Sequence, residues 1–208
     1  SGKNSAAPIL VKGLQKMEYR GYDSVGIATK SENKIVVKKG VGRVVEVSNA
    51  VQLDKLPGNI GIGHTRWATH GKVTEKNAHP HSSNSGKIAI VHNGIVENFE
   101  ELKSDLQNKG YEFQSETDTE VIANLIQLNL DETSDVKQSI IKTVNQIKGH
   151  YSFVAIFDDG TLAAARFHEP LIVGVGKNGN YLSSDVLGFI ENTDDAIYVD
   201  NEDFVIVN

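Results

Sequence analysis

YSFVAIF (Tyr151–Phe157), TLAAARF (Thr161–Phe167) and LIVGVG (Leu171–Gly176) follow one another with only short polar breaks between them. Segments of this length, rich in apolar, aromatic and β-branched residues and bounded by Gly and Asp, predict strands. NYLSS (Asn180–Ser184), AIYV (Ala196–Val199) and DFVIV (Asp203–Val207) continue the series to the end of the chain. Immediately upstream the period changes. Asn98-x-x-Glu101 precedes Leu102 and Leu106, and Thr117-x-x-Glu120 precedes Val121, Ile122, Leu125 and Ile126. Both read as capping boxes opening amphipathic helices. A further helix is predicted over Val136–Ile147.

Toward the N-terminus, Ala6, Ile9, Leu10, Gly13, Leu14 and Met17 recur at helical spacing, with Pro8 tolerated in the first turn. VGIATK (Val25–Lys30) and KIVVKKG (Lys34–Gly40) predict a strand pair joined by the turn Ser31–Asn33, and Arg43–Val51 a second helix. NIGIGHT (Asn59–Thr65) and KIAIVHN (Lys87–Asn93) predict two more strands. Between them, residues 66–86 are polar and lack apolar periodicity, as functional loops of this length often do. Helix and strands, then helices, then strands is not a regular alternation. It predicts an α+β layered fold with mainly antiparallel sheets, in one domain over residues 1–208, with no repeat or linker.

The composition narrows the function. The 208 residues carry a net charge of −6 without basic blocks, which argues against a nucleic-acid partner. No apolar run approaches a membrane span, and SGKNSAAPIL has no signal-peptide pattern, so the expectation is a cytoplasmic protein without a membrane partner. There is no cysteine, hence no disulfide and no thiol nucleophile within these residues. The glycines of Gly61-x-Gly63 and Gly174-x-Gly176 lack the third glycine and following helix of a dinucleotide site, so no cofactor is implied.

Three constellations could carry chemistry. In HTRWATHG (His64–Gly71) a strand end is followed by a guanidinium, the only Trp, a hydroxyl and an imidazole. Arg66 suits a two-pronged grip on a carboxylate, and Trp67 could close over a small ligand; a surface Arg and a core Trp explain the string equally well. In VHNGI (Val91–Ile95), Asn93-Gly94 reads first as a turn and second as an oxyanion hole built from one side-chain and one backbone N–H. In SETDTE (Ser115–Glu120), acidic residues at a helix start complement its dipole, while Asp118 could instead bind an ammonium. His64, His70, His79, His81 and His92 lie close in sequence, but their spacing matches no metal-binding pattern, and no metal is expected.

Together, MEYRGYDSVGIAT (Met17–Thr29), GHTRWATHG (Gly63–Gly71), NAHPH (Asn77–His81), VHNGIVEN (Val91–Asn98), SETDTEVIA (Ser115–Ala123) and SSD (Ser183–Asp185) resemble the glutaminase domain of the glucosamine-6-phosphate synthase family. The resemblance covers essentially the whole chain. Related amidotransferases that make purine precursors, asparagine or glutamate share the Asn-Gly and Arg features but not YRGYDS and HTRWATHG. The resemblance implies an N-terminal-nucleophile hydrolase fold: a four-layer αββα sandwich of two mainly antiparallel sheets. It also implies glutamine as substrate, a sugar-isomerising domain in the same parent chain after residue 208, fructose 6-phosphate as acceptor, and a homo-oligomeric parent.

By the same resemblance, Asn93 and Gly94 form the oxyanion hole. Arg66 binds the α-carboxylate of glutamine and Asp118 its α-ammonium. Trp67, Thr69 and His70 belong to a loop that folds over the substrate, and Arg20 and His79 lie near the nucleophile. That nucleophile is an N-terminal Cys opening a Cys-Gly-Ile strand. Counted from YRG, this chain starts about six residues later, which leads to the expectation of a truncated, inactive glutaminase domain. Ser1-Gly2 does not replace that start, because Lys3, Asn4 and Ser5 cannot form a buried apolar strand. The competing expectation is a nucleophile-less module on the same fold that binds glutamine or a partner.

Overall fold

The computed structural model describes residues 1–67 and 71–207. Helix α1 (Ala6–Met17) buries Ala7, Val11 and Leu14 on one stripe, and Pro8 stands in its first turn, where the missing N–H costs no hydrogen bond. A hairpin of β1 (Ser24–Ser31) and β2 (Lys34–Val41) leads to α2 (Val44–Val51). Strand β3 (Ile60–Arg66) then pairs antiparallel with β1, giving the order β2-β1-β3. Among the described residues of the loop that follows, His81–Ser82 form the short strand β4 before the nine-residue strand β5 (Ile88–Val96).

Three helices come next: α3 (Phe99–Asn108), α4 (Thr119–Thr133) and α5 (Val136–Val144). The remaining strands are β6 (Gly149–Phe157), β7 (Leu162–Phe167), β8 (Ile172–Gly176), β9 (Gly179–Ser183), β10 (Ala196–Tyr198) and β11 (Phe204–Val207). They complete a five-stranded sheet, β11-β7-β6-β5-β4, and a three-stranded sheet, β10-β8-β9. Every pairing between named strands is antiparallel, as the sequence order predicts.

Strand alternation sorts the side chains into layers. On β5, Ile88 and Ile90 face α3, α4 and α5 in the largest core, with Phe153, Phe157, Ile122, Ile126 and Ile140. Ala89 and Val91 face the other way and meet Ala28, Ile62, Ile156 and Leu162 between the sheets. On the far side, Val25 and Ile27 of β1 pack under α1 and α2 with Val11, Leu14, Val44 and Val47. The result is helices, sheet, sheet, helices. The layer under α1 is made of the two three-stranded sheets, whose outer strands β3 and β9 both border one groove. Leu10 and Leu14 of α1 cover this groove, and Val91, Val154 and Leu162 of the large sheet form its floor.

Neither predicted capping box forms; the side chains take other partners. Asn98 makes no cap bond to its own helix; its side chain accepts from the Lys148 N–H at 2.9 Å and donates to the Gln146 carbonyl at 2.9 Å, tying α3 to the start of β6. Glu120 turns back past the helix start, accepting from the N–H groups of Gln114 at 2.9 Å and Ser115 at 2.7 Å. A buried carboxylate needs several donors, and these amides supply them where the chain enters α4.

Gly13 lets α1 bridge the two small sheets. A β-carbon there would lie 2.6 Å from the Gly188 carbonyl oxygen, in the turn after β9. Helix propensity alone favours Ala over Gly by about 1 kcal/mol, but the clash is with backbone and cannot be relieved by a rotamer. Gly13→Ala is therefore expected to destabilise the protein by about 1–3 kcal/mol, read as a lower melting temperature. A rise would show that the 186–188 turn yields freely.

Candidate active site

Three inward-facing positions at the same end of the two facing sheets define the site. On β3, His64 and Arg66 share the face of Ile62, which packs between the sheets. On β5, Asn93 shares the face of Ala89 and Val91, while His92 points the other way toward α4. The His64 ring reaches across the interface, its Nε2 2.9 Å from Asn93 Oδ1. Arg20, His64, Asn93, Ser152, Ser183 and Ser184 all line one pocket at the end of the groove.

Asn93-Gly94 is not a turn. Both residues lie inside β5, opposite Ser152 and Tyr151, and the ladder with β6 runs on to Val96. Gly94 is nevertheless the residue its backbone demands: φ is +115°, and a β-carbon would collide with the His150 carbonyl. The Asn-Gly signal thus marks a left-handed backbone position within a strand.

Arg66 and Asp118 are brought together, which sequence separation alone does not predict. Both are buried, and although burial lowers the Arg66 guanidinium's affinity for its proton, the charges of Asp23 and Asp118 act against that shift. Arg66 Nη1 donates to the Lys72 carbonyl at 3.3 Å. Asp118 is the first residue before α4, yet its side chain does not cap that helix; Oδ2 accepts from the Val96 N–H at 2.8 Å and so fixes the end of β5. Trp67 is 56% exposed, edge-on to Tyr22 at 5.5 Å, and Tyr22 lies under the Arg43 guanidinium. Thr69 and His70 lie outside the described residues. Arg20 reaches Asp185 Oδ2 at 3.6 Å and Ser184 Oγ at 3.4 Å, on the far side of the pocket from β3.

Behind Asn93 stands an array of imidazoles, with His79, His81 and His92 buried. His79 stacks on His64 with ring centres 4.3 Å apart and meets His81 edge-on at 4.9 Å. His92 donates its backbone N–H to His79 Nδ1 at 3.3 Å, so the neutral His79 ring carries its proton on Nε2, which faces Thr119 Oγ1 at 3.3 Å. His92 Nδ1 meets the same hydroxyl at 3.0 Å, and His81 Nε2 meets Thr117 Oγ1 at 3.1 Å. Asp118 is thus flanked by two threonines that bind the array. Among the described residues no group of three or more His, Cys, Asp or Glu side chains is placed to hold a metal ion.

The sequence pattern gives no sign of Lys39, which faces this loop from β2. Its ammonium donates to the carbonyls of Ala78 at 2.6 Å, Pro80 at 3.1 Å and Lys76 at 3.3 Å. Burial lowers its pKa to about 8, against the opposing pull of Glu120 and Glu75. A lysine in an amphipathic strand looks like a solvated charge; only the tertiary structure shows it anchoring the backbone on both sides of His79.

The comparisons with known proteins come to the same place. Residues 64–190 match the family model described as a glutamine amidotransferase domain. The chain is similar to glutamine–fructose-6-phosphate aminotransferase [isomerizing] of Pyrococcus horikoshii, 46% identical across 100% of this chain and 35% of the relative. The same enzyme of Methanothermobacter thermautotrophicus is 46% identical across 98% of this chain and 35% of the relative. Among solved structures, the glutamine phosphoribosylpyrophosphate amidotransferase of B. subtilis superposes with a TM-score of 0.86 at 30% identity, covering 100% of this chain and 46% of that one. An allosteric regulatory enzyme of purine biosynthesis gives 0.85 at 29%, covering 96% of this chain and 44% of that one. The chain spans about a third of the length of the curated relatives it matches.

The imidazole array makes stability depend on pH. Burial holds His64 down to about 4 from 6.5, and lowers His79, His81 and His92 as well, with neighbouring positive charge contributing. As pH falls through 6.5 the unfolded chain takes up protons that the folded chain refuses, so stability present above 6.5 is lost progressively toward about 4. Each ring held neutral adds up to about 1.4 kcal/mol per pH unit to that slope. Urea unfolding between about pH 7 and about pH 5 is expected to show a steep loss of stability. A flat profile would contradict the burial of the array.

Proposed function

We propose that this chain, which belongs to the glutamine amidotransferase domain family, supplies the glutamine-binding and oxyanion-stabilising groups, though not the nucleophile, of a longer protein that hydrolyses the side-chain amide of glutamine, delivers the ammonia to fructose 6-phosphate and forms glucosamine 6-phosphate. The observation that carries this reading is the convergence of Arg66, Asp118 and Asn93-Gly94 from three separate elements on one end of the sheet pair. A free amino acid is a zwitterion, and its recognition needs a cation and an anion a few ångströms apart. Arg66 takes the α-carboxylate and Asp118 the α-ammonium. Asn93 Nδ2 and the Gly94 N–H receive the oxygen of the carboxamide as it becomes negative. Trp67, with Thr69 and His70, covers the bound substrate; Arg20 and His79 stand near the attacking group.

The nucleophile in this reading is a thiol, and the 208 residues contain none. The groove between β3 and β9 is suited to supply it through an added strand. Gly2 already bridges Gly179 in antiparallel register, with Ser1 and Asn180 exchanging backbone hydrogen bonds at 2.8 and 2.9 Å. A strand continuing upstream from Ser1 in this register runs antiparallel to both β3 and β9 over the apolar floor. At ~3.3 Å per residue, about five residues carry its start past Ser183 and Ser184 to the level of Asp185, at the end of the pocket that holds Asn93.

A cysteine at that start attacks the glutamine carboxamide, its own α-amino group taking the thiol proton and passing it to the leaving ammonia. Water then hydrolyses the thioester, releasing glutamate and restoring the thiol. The cytoplasm, a sugar-isomerising domain in the same polypeptide and a homo-oligomeric parent belong to the same proposal. Among the described residues no helix is long and apolar enough to cross a membrane.

The chain as it stands is expected to release no ammonia from glutamine. With a Cys-Gly-Ile strand placed ahead of Ser1, hydrolysis is expected to appear. Activity without the strand, or none with it, would overturn the proposal; glutamine binding without hydrolysis in both forms would favour a binding module.

Roles separate in kinetics of the active form. Arg66→Lys keeps the charge but loses the planar grip, and Asp118→Asn leaves the ammonium unpaired. Both are expected mainly to raise KM. Asn93→Ala is expected to lower kcat by about 10²–10³-fold with little change in KM. The reverse pattern would remove these residues from their roles.

A further inference from the structure

An oxyanion hole works only if its amide presents hydrogen to the substrate. Asn93 carries an oxygen and an NH₂ group on one planar carbon, and a half-turn of the amide would aim a lone pair at the developing negative charge. We propose that His64 is the positioning residue that fixes this choice, donating its Nε2–H to Asn93 Oδ1 so that Nδ2 faces the pocket. The proposal rests on the glutaminase reading above.

The geometry supports one tautomer. His64 Nε2 lies 2.9 Å from Asn93 Oδ1, whereas His64 Nδ1 is buried and has no hydrogen-bond partner among the described residues. A proton on Nδ1 would leave a buried N–H unsatisfied and turn a lone pair of Nε2 toward the lone pairs of the amide oxygen, at a cost that a bare Nδ1 lone pair does not carry. The other ring face is occupied: His79 stacks on it at 4.3 Å, and His79 is itself held by the His92 N–H and Thr119. The ring cannot turn over without breaking that stack. Asn93 for its part is confined by the strand ladder, opposite Ser152. The imidazolium also carries a proton on Nε2, so the orientation survives protonation of His64. The device is not a pH switch; it is a fixed bias on which end of an amide faces the substrate.

Nitrogen–hydrogen correlation spectra of the labelled 208-residue chain read the tautomer directly. The expected pattern is a protonated Nε2 and a bare Nδ1 for His64; a protonated Nδ1 overturns the proposal. In the complete cysteine-bearing protein, His64→Gln and His64→Asn form the decisive pair. Gln can place an amide N–H where Nε2 stands, and Asn reaches only as far as Nδ1. His64→Gln is expected to keep kcat within about 3-fold, and His64→Asn to lose about 10²-fold with KM changed much less. Equal kcat values for the two variants, or equal losses in kcat and KM, would overturn the positioning role. Absence of hydrolysis in the unmodified protein would overturn the glutaminase reading and this role with it. A wrong tautomer in an active enzyme would remove the role of His64 alone.

Discussion

The nine-residue ladder between β5 and β6 is the constraint on which the site depends. It fixes which side chains of β5 look inward. Ala89 and Val91 are packed between the sheets and Ile88 and Ile90 under the helices, so a slip of one residue would place isoleucine in the narrow interface and leave methyl and valine side chains against α4. With that register secured by burial on both faces, Asn93 must face the pocket and His92 must face Thr119. Asp118 adds the last restraint by accepting the Val96 N–H at the end of the strand. Asn93, Gly94 and Asp118 are thus parts of one hydrogen-bonded unit.

Charge in this unit is handled by neutrality where possible and by pairing where not. The imidazoles are buried without carboxylate partners and remain uncharged. Arg66 and Asp118 keep opposite charges within reach of one another, so each offsets part of the other's desolvation before any ligand arrives. Glu120 is satisfied by backbone amides, and Lys39 by carbonyls. Backbone groups thus carry much of the compensation for both of these charges.

Local periodicity was enough to place the helices and strands and to predict antiparallel layers, because each buried face repeats every two or about 3.6 residues along the chain. Side-chain chemistry at the element ends, together with the family resemblance, singled out Arg66, Asp118, Asn93 and Gly94 as candidates. Local periodicity could not tell a turn from a strand at Asn93-Gly94, since a glycine at positive φ serves a turn as well as it serves this strand, and only pairing with Tyr151 distinguishes them. The capping boxes at Asn98 and Thr117 failed for a related reason: the side chains of these two residues found partners distant in sequence, at Lys148 and Gln146 for Asn98 and at His81 for Thr117, that no local pattern contains. His64 and Lys39 were illegible as positioning groups because their meaning lies in what stands opposite them. The two-sheet expectation needed refinement too, as the layer beneath α1 is divided at the groove between β3 and β9.

That division gives the domain an uneven mechanical profile. A strand flanked by neighbours on both sides exchanges its amide hydrogens only when the sheet opens, whereas β3 has β1 on one side and the groove on the other. Every second amide along Ile60–Arg66 therefore points away from a ladder, while those of β6 are locked between β5 and β7. Deuterium would enter β3 and β9 in an alternating pattern and reach the large sheet far more slowly. The seam that binds the least protein is the one that ends beside Asn93, so whatever strand fills it would stiffen the pocket from a distance.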